Sequence, residues 1–383
     1  MDSRSGNVNA PAEKARWRDG EPAPHSAPGH RRGPARVPVP TWRNLPMQPR
    51  QVTVLGECVA DVFPEPGYGE VPSGAQGRSP DPSQGLRLRV LPGGGPANTA
   101  VGLARLGTPT RLLARLSGDV FGRLFRAHLL ESGVDLSAAT AAPEPSTLAV
   151  ADVDGDGQAA YSFHAEGTAD WQWTRGELDR AALGDPACIH SGSLALVREP
   201  GAALVEEVLA GARRHATVSI DPNVRPALVD PRVYRDRIRT WCATADILRL
   251  SEDDLAVLAP DTPPEAACDG FHAAGARLVV VTRGARGVLA SLEGRRISVP
   301  GVPARVVDTV GAGDSFTAGL LHHLGGRGLL GGRLDGLRIE DVLAACAYAT
   351  RVAALTCAVP GPNPPWARQV DSDGVELTAR PGA

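Results

Sequence analysis

Residues 308–319 read DTVGAGDSFTAG, and this stretch determines how the rest of the chain is interpreted. Two glycines and an alanine directly precede Asp314, and a run typical of a helix follows. Glycine permits positive φ angles and lets a ligand approach the backbone closely. Because the first N–H groups of a helix have no intrahelical partner, we predict that the amides of Gly311, Ala312 and Gly313 form an anion hole.

The wider stretch, residues 304–324, predicts a strand, a glycine turn and a helix. Asp314 then stands at the edge of the anion site. There it can take a proton from a hydroxyl while the amides stabilise the charge of a transferring phosphoryl group. The alternative is that Asp314 is only a helix N-cap and the glycines only a tight turn.

Composition limits the classes of protein to which the chain can belong. It has 383 residues, 42% of them hydrophobic, and a net charge of −3, which suits one large or two modest globular cores. No apolar run approaches the roughly 20 residues of a membrane span, and the N-terminus lacks an apolar signal core. We therefore expect a cytoplasmic protein without a membrane partner. Six scattered cysteines favour neither a disulfide framework nor a zinc site, and we expect buried thiols.

Lys14 is the only lysine in the chain. A P-loop needs a lysine after its second glycine, and a protein kinase needs one on a strand, so both classes are excluded. A dinucleotide-binding dehydrogenase is excluded because no GxGxxG opens a helix after the first strand. If the protein binds nucleotide phosphates, it must do so with backbone amides, arginines and a metal ion.

The two ends of the chain differ from its middle in composition. Residues 1–49 are rich in Pro, Gly, Arg and Ser, which predicts a disordered extension. Its arginines could contact nucleic acid, but an inert tail, or a true start at Met47, explains them as well, and we expect no nucleic-acid partner. Residues 50–365 form the predicted domain, and residues 366–383 a flexible tail.

Between these ends, apolar strands alternate with amphipathic helices, which predicts an α/β fold whose central, mostly parallel sheet is flanked by helices. The predicted strands are Thr53–Gly56, Thr110–Leu116, Ala187–His190, Thr217–Asp221, Ile247–Leu250, Leu278–Thr282 and Gly287–Leu292; the predicted helices include Ala97–Leu106, Leu204–His215 and Glu340–Leu355. Two stretches interrupt this alternation: Tyr68–Leu91, and Thr147–Phe163, a hairpin turning at residues 154–157. We expect them to supply a small β-strand lid from residues 62–92 and 146–172.

Two further stretches carry candidate ligand groups. Residues 91–107, LPGGGPANTAVGLARLG, place a glycine run before a helix whose first turn carries Asn98 and Thr99. Asp61 is expected at the carboxyl edge of the first strand, where open α/β sheets bind ligands, and can accept two sugar hydroxyls. Taken alone, the first could be an ordinary turn and the second a solvated loop carboxylate.

Together these stretches resemble the ribokinase-like sugar kinases, also called the PfkB carbohydrate kinases, over residues 51–365. GGGPANTA is similar to the family's N-terminal signature, and DTVGAGDSFTAG matches its C-terminal signature at every fixed position. Residues 118–135, GDVFGRLFRAHLLESGVD, resemble the segment that follows the first signature. The resemblance implies a ribokinase-like fold, a sugar substrate, ATP, Mg²⁺ and phosphoryl transfer to a hydroxyl.

The resemblance also implies roles for individual residues. Asp314 corresponds to the catalytic base, and residues 311–314 to the anion hole. The residues at sugar-contacting positions are Asp61, Gly94 and Asn98, with Arg225 as a further candidate after a strand. The residues at nucleotide-binding positions are Ser251, Thr282, Gly284, Gly287 and Gly313.

Two stretches depart from the family pattern. Asp308 falls where relatives bind a monovalent cation, but Val310 replaces a residue that can be threonine, which puts that cation in doubt. In LSEDDL, Ser251 and Asp254 stand for the Asn and Glu of the family's NxxE motif. The shorter Asp254 carboxylate could still position Mg²⁺ through water.

The identity of the sugar rests on two segments that resemble bacterial fructokinases, residues 165–174 and 221–230. Trp171 and Trp173 could stack on a sugar ring or belong to the core. Fructose is the expected substrate, with ribose, 2-keto-3-deoxygluconate or a non-catalytic regulator of the same fold as alternatives. A homodimer built on the covering strands is plausible for this family.

Overall fold

Eight strands form the central sheet of the computed structural model, which describes residues 50–64, 87–153 and 159–372. The strands are β1 (Val52–Leu55), β4 (Thr110–Leu113), β9 (Cys188–Gly192), β10 (Thr217–Asp221), β11 (Ile247–Ser251), β12 (Leu278–Thr282), β13 (Val288–Leu292) and β14 (Arg295–Val299). Their spatial order is β14-β13-β12-β11-β10-β9-β1-β4. The pairs β12–β13 and β13–β14 are antiparallel, and the others are parallel.

Helices cover both faces of this sheet, so its central strands are buried on both sides. In β12, Leu278 and Val280 face one core, whereas Val279 and Val281 face the other. The first core is covered by α1 (Gly95–Arg105), α2 (Val120–Glu131), α8 (Ala312–Gly326) and α9 (Ile339–Cys357); the second by α4 (Ala202–Ala212), α5 (Pro231–Thr244), α6 (Glu252–Leu258) and α7 (Pro264–Ala274). The predicted α/β class is confirmed.

A second sheet, which we call the lid sheet, has four strands: β2 (Val59–Pro64), β3 (Leu88–Gly93), β7 (Thr147–Val153) and β8 (Ala159–His164). Their spatial order is β3-β2-β7-β8. The expected hairpin is therefore present as β7 and β8, while its turn at residues 154–157 lies outside the described residues. Strands β5 (Arg115–Ser117) and β6 (Thr140–Ala142) form a separate parallel pair.

Several predicted elements differ from the structure. No strand precedes the glycine turn at residues 304–308, because Val307 N donates to Cys357 O at the end of α9 instead of to a neighbouring strand. The predicted strand Thr110–Leu116 is divided between two sheets at Ala114.

The predicted flexible tail is wrong for its first residues. Residues 367–371 form a short helix, α10 (Ala367–Asp371), and the guanidinium of Arg351 donates to Val370 O and Ser372 O, both at 2.8 Å. A further short helix is α3 (Arg180–Leu183). The predicted extension, residues 1–49, and residues 373–383 lie outside the described residues.

All six cysteines are free thiols, five of them buried, as expected. Among the described helices, none is both long and apolar enough to cross a bilayer.

Helices α1 and α8 pack closely on the first core, and each presents its N-terminus to the same edge of the sheet. Gly102 of α1 lies against Ala318 of α8, and a β-carbon on Gly102 would come within 2.7 Å of the Ala318 β-carbon. Since neither group can rotate away, glycine at residue 102 sets the distance between the two helices.

We therefore expect Gly102→Ala to destabilise the fold by about 1–3 kcal/mol through overpacking, despite the better helix propensity of alanine. Gly270→Ala in α7 is the matched control, because a β-carbon there meets no atom within 4 Å. It should be neutral or stabilise by up to about 1 kcal/mol. Urea unfolding of both variants measures the difference, and equal free energies of unfolding would contradict the packing argument.

Candidate active site

A cavity of about 1180 Å³ opens at the carboxyl ends of the central strands. Ser193, Asn223, Ser251 and Thr282 line it from the ends of β9, β10, β11 and β12, and the N-terminus of α8 and the lid sheet complete the wall. Parallel strands gather their carboxyl ends at one edge, which explains why residues distant in sequence meet there.

Asp314 lies in this cavity as the third residue of α8. The N-cap is Gly311, in the left-handed region at φ 75°, and no side chain caps the helix, so the N-cap interpretation of Asp314 is excluded. Asn98 Nδ2 donates to Asp314 Oδ2 at 2.9 Å. A β-carbon on Gly95 would lie 3.3 Å from Asp314 Oδ1, so the α1 glycines leave space for the carboxylate.

The amides of this turn differ from the expectation in one respect. Ala312 N already donates to Thr309 O at 3.2 Å, so it is not a free donor, and Ala312 does not line the cavity. The amides of Gly311, Gly313 and Asp314 have no acceptor within the described part of the chain. The free donors of this turn are therefore the amides of Gly311, Gly313 and Asp314, and Ala312 is not among them.

Three carboxyl groups lining the cavity have raised pKa values, in each case chiefly because burial disfavours the charged form. The pKa of Asp314 is raised to about 6; the Asn98 hydrogen bond opposes the rise and the Asp221 charge adds to it. The pKa of Asp61 is raised to about 7 against the lowering effect of Arg225. The pKa of Glu57 is also raised to about 7. Asp314 can thus exist as a base near neutral pH.

The expected sugar-contacting residues Asp61, Gly94, Asn98 and Arg225 all line the cavity. Asp61, however, lies in β2 of the lid sheet, paired with Leu91 and Ala149, and not at the edge of the first strand as expected. The reason is that the chain leaves β1 at Leu55 and enters the lid within a few residues.

Four of the five residues expected to contact a nucleotide also line the cavity: Ser251, Thr282, Gly284 and Gly313. Gly287 is not part of the lining. It has φ 86°, and a β-carbon there would collide with Val299 O, so it serves the approach of β13 to β14.

The two candidate cation ligands already have protein partners. Asp308 lies outside the cavity lining and accepts from Val310 N at 3.0 Å and Gly361 N at 2.8 Å. Asp254 forms a capping box with Ser251, whose N and Oγ both donate to Asp254 Oδ2. Its other oxygen accepts from Val224 N at 2.7 Å.

The structure assigns the tryptophans to the core and adds residues that sequence reasoning missed. Trp171 and Trp173 are buried in the second core and do not line the cavity. Glu57, Ser193 and Arg249 do line it. For Arg249 the available signal was a charged residue inside the apolar strand ILRLS.

A helix N-terminus with free amides and a half-buried carboxyl group beside it suits phosphoryl transfer. Residues 50–368 match the model of the pfkB family of carbohydrate kinases, to which this chain therefore belongs. The protein is a carbohydrate kinase with the ribokinase-like fold.

Known relatives agree with this assignment. A fructokinase of Rhizobium leguminosarum bv. trifolii is 34% identical over 275 residues, which are 71% of this chain and 79% of the relative. A fructokinase of Klebsiella pneumoniae is 35% identical over 73% of this chain and 86% of its own length. A Vibrio cholerae fructokinase structure with fructose, ADP and calcium ion has a TM-score of 0.69 at 25% identity, covering 82% of this chain and 95% of its own.

Because the Asn98 hydrogen bond holds the Asp314 pKa down, Asn98→Leu should raise that pKa. We expect the acidic limb of the kcat/KM profile to move to higher pH by about 1–2 units. Thr99→Val is the matched control, since Thr99 reaches only the main-chain oxygen of Asp314, at 3.5 Å. An unmoved acidic limb in Asn98→Leu would contradict the role of this hydrogen bond.

Proposed function

We propose that this protein transfers the γ-phosphoryl group of ATP to a hydroxyl of fructose. The observation that carries the proposal is the half-buried Asp314 carboxylate in the same helical turn as the unpaired amides of Gly313 and Asp314. The similarity to fructokinases supports the substrates, and one related structure contains ATP while another contains fructose and ADP.

In the proposed reaction Asp314 takes the proton of the sugar hydroxyl, and the hydroxyl oxygen forms a bond to the γ-phosphorus. The bond between that phosphorus and the β–γ bridging oxygen breaks, and ADP leaves with the electron pair. The amides of the α8 turn stabilise the charge on the migrating group. Closure of the lid sheet excludes water, which would otherwise compete as an acceptor.

Mg²⁺ would neutralise phosphate oxygens when ATP is bound. Within the described residues no group of three His, Cys, Asp or Glu side chains could hold a metal ion alone, so the nucleotide would supply most ligands. Both Asp254 oxygens accept protein hydrogen bonds, which leaves a contact through water as its proposed role, and Glu252 and Asp253 line the cavity beside it. A monovalent cation at Asp308 stays a prediction.

The carboxyl groups that line the cavity favour a neutral sugar as the substrate. Glu57, Asp61 and Asp314 line the cavity, and carboxyl groups repel a sugar acid wherever they are ionised. Arg225, exposed on the same wall, is the feature that favours 2-keto-3-deoxygluconate as a second candidate. The cytoplasmic location remains a prediction from the composition, and a homodimer through the lid strands remains a prediction of the family resemblance.

The choice of sugar is tested by measuring ADP release from purified protein with fructose, ribose, 2-keto-3-deoxygluconate, adenosine and fructose phosphates. We expect kcat/KM for fructose to exceed that for each other compound by at least about tenfold, a discrimination that one or two hydrogen bonds supply. A preference for another sugar would overturn the fructose assignment and leave the kinase assignment intact.

Removal of the base should reduce turnover far more than affinity. We expect Asp314→Asn to lower kcat by about 10²- to 10⁴-fold with little change in the Kd for fructose, measured by calorimetry. Asp230→Asn is the matched control, because Asp230 only caps α5 through Arg232 N, and asparagine caps equally well. An Asp314→Asn enzyme that keeps most of its turnover would exclude the general-base role.

A further inference from the structure

Arg249 is a buried cation directly beneath the α8 turn. It lies in β11, is 5% exposed and is one of the residues that line the cavity. Nη1 is 2.7 Å from Asp221 Oδ2, and Nη2 donates to Thr282 Oγ1 at 2.6 Å. The guanidinium lies 5.9 Å from the centre of the Phe316 ring in α8. The position of the guanidinium is therefore fixed by β11, by the ion pair with Asp221 and by the contact with α8.

The missing side chain of residue 313 makes room for this guanidinium. A β-carbon on Gly313 would lie 2.7 Å from Arg249 Nη1 and 2.9 Å from Nη2. Gly313 is also one of the residues whose amide has no acceptor in the described structure. The cation thus lies against the backbone of the anion hole, where a phosphoryl group would add its charge.

Arg249 differs from the other two arginines that line the cavity, Arg225 and Arg283. Arg225 is exposed and Arg283 is half-buried, and both lie on loops. The chain's single lysine, Lys14, lies outside the described residues. Arg249 is thus the cation with the most restricted position in the wall, and fixed charges stabilise developing charge without reorganisation.

The Arg249–Asp221 pair is incompletely satisfied as it stands. Arg249 Nε and Asp221 Oδ1 are buried and have no hydrogen-bond partner among the described residues. A buried ion pair with unmet hydrogen bonds is weak evidence for a stabilising role, since apolar residues of similar volume often stabilise as well. The arrangement calls for a function beyond stability.

We propose that Arg249 is a catalytic residue that contacts the migrating phosphoryl group and stabilises its negative charge at the α8 turn. This proposal rests on the proposed phosphoryl transfer beside Asp314. Arg249 forms no covalent bond and exchanges no proton. The neighbouring charges shift its pKa further upward, so it stays protonated throughout. Its charge also lowers the pKa of Asp314, in opposition to Asp221.

Four variants test this role. Arg249→Met removes the positive charge, and Arg249→Lys keeps the charge but lacks the planar guanidinium group. The double variant Arg249→Met with Asp221→Asn removes both charges, so that no buried anion is left unpaired. Arg277→Met is the control: it loses ion pairs to Glu293 and Asp335 at the opposite end of β12. Thermal unfolding confirms which variants fold.

We expect Arg249→Met to lower kcat by about 10²- to 10³-fold, and Arg249→Lys by about tenfold, while KM for the sugar changes little. Calorimetry with ADP plus aluminium fluoride and the sugar should show a similar loss of affinity in Arg249→Met, whereas ADP alone binds normally. Arg277→Met should keep wild-type turnover.

The pH profile separates the effect of the Arg249 charge on the Asp314 pKa from the proposed contact of Arg249 with the phosphoryl group. The charged groups around Asp314 are Arg249, Asp221, Arg225 and, across the cavity, Asp61. Loss of Arg249 alone raises the Asp314 pKa, so the acidic limb moves to higher pH. In the double variant the limb should return towards the wild-type position while kcat stays low.

Two results would overturn the proposal in distinguishable ways. A folded Arg249→Met protein with wild-type turnover and wild-type affinity for the aluminium fluoride complex would exclude Arg249 alone. A wild-type protein that phosphorylates no sugar and does not bind that complex would exclude the proposed function and this role with it.

Discussion

The hydrogen bond from Asn98 Nδ2 to Asp314 Oδ2 joins the N-termini of two helices at the point where the chemistry is proposed. It forms only if α1 and α8 approach closely, which Gly102 allows, and Gly95 leaves space for the Asp314 carboxylate. The close packing of two helices on one face of the sheet thereby places the half-buried Asp314 carboxyl group beside free amides.

Burial and charge act in opposite directions on that base. Desolvation alone would keep Asp314 protonated, whereas the Asn98 amide and the positive charges of Arg225 and Arg249 favour its ionised form. The result is a pKa of about 6, low enough for ionisation at neutral pH and high enough for useful basicity. A chain with one lysine thus lines this cavity with free backbone amides and arginines.

Most of the fold could be predicted from the sequence, and so could the glycine turn that carries Asp314. Apolar runs located the parallel strands because both faces of the sheet are buried, and the glycine turn identified Asp314. The pairing of Arg249 with Asp221 could not be read from sequence, because it depends on β10 and β11 being neighbours and on which face Arg249 occupies. The position of Asp61 in the lid sheet likewise depends on strand pairing, and the strand expected before the glycine turn is replaced by bonds to the end of α9.

The central claim is that the α8 turn binds the migrating phosphoryl group beside Asp314. A crystal structure of the protein with ADP, aluminium fluoride and fructose tests it most directly. We expect the fluoride ligands to lie within hydrogen-bond distance of the Gly313 and Asp314 amides. We also expect a sugar hydroxyl to contact the Asp314 carboxylate. A fluoroaluminate bound elsewhere in the cavity, or a sugar whose hydroxyls all point away from Asp314, would contradict it.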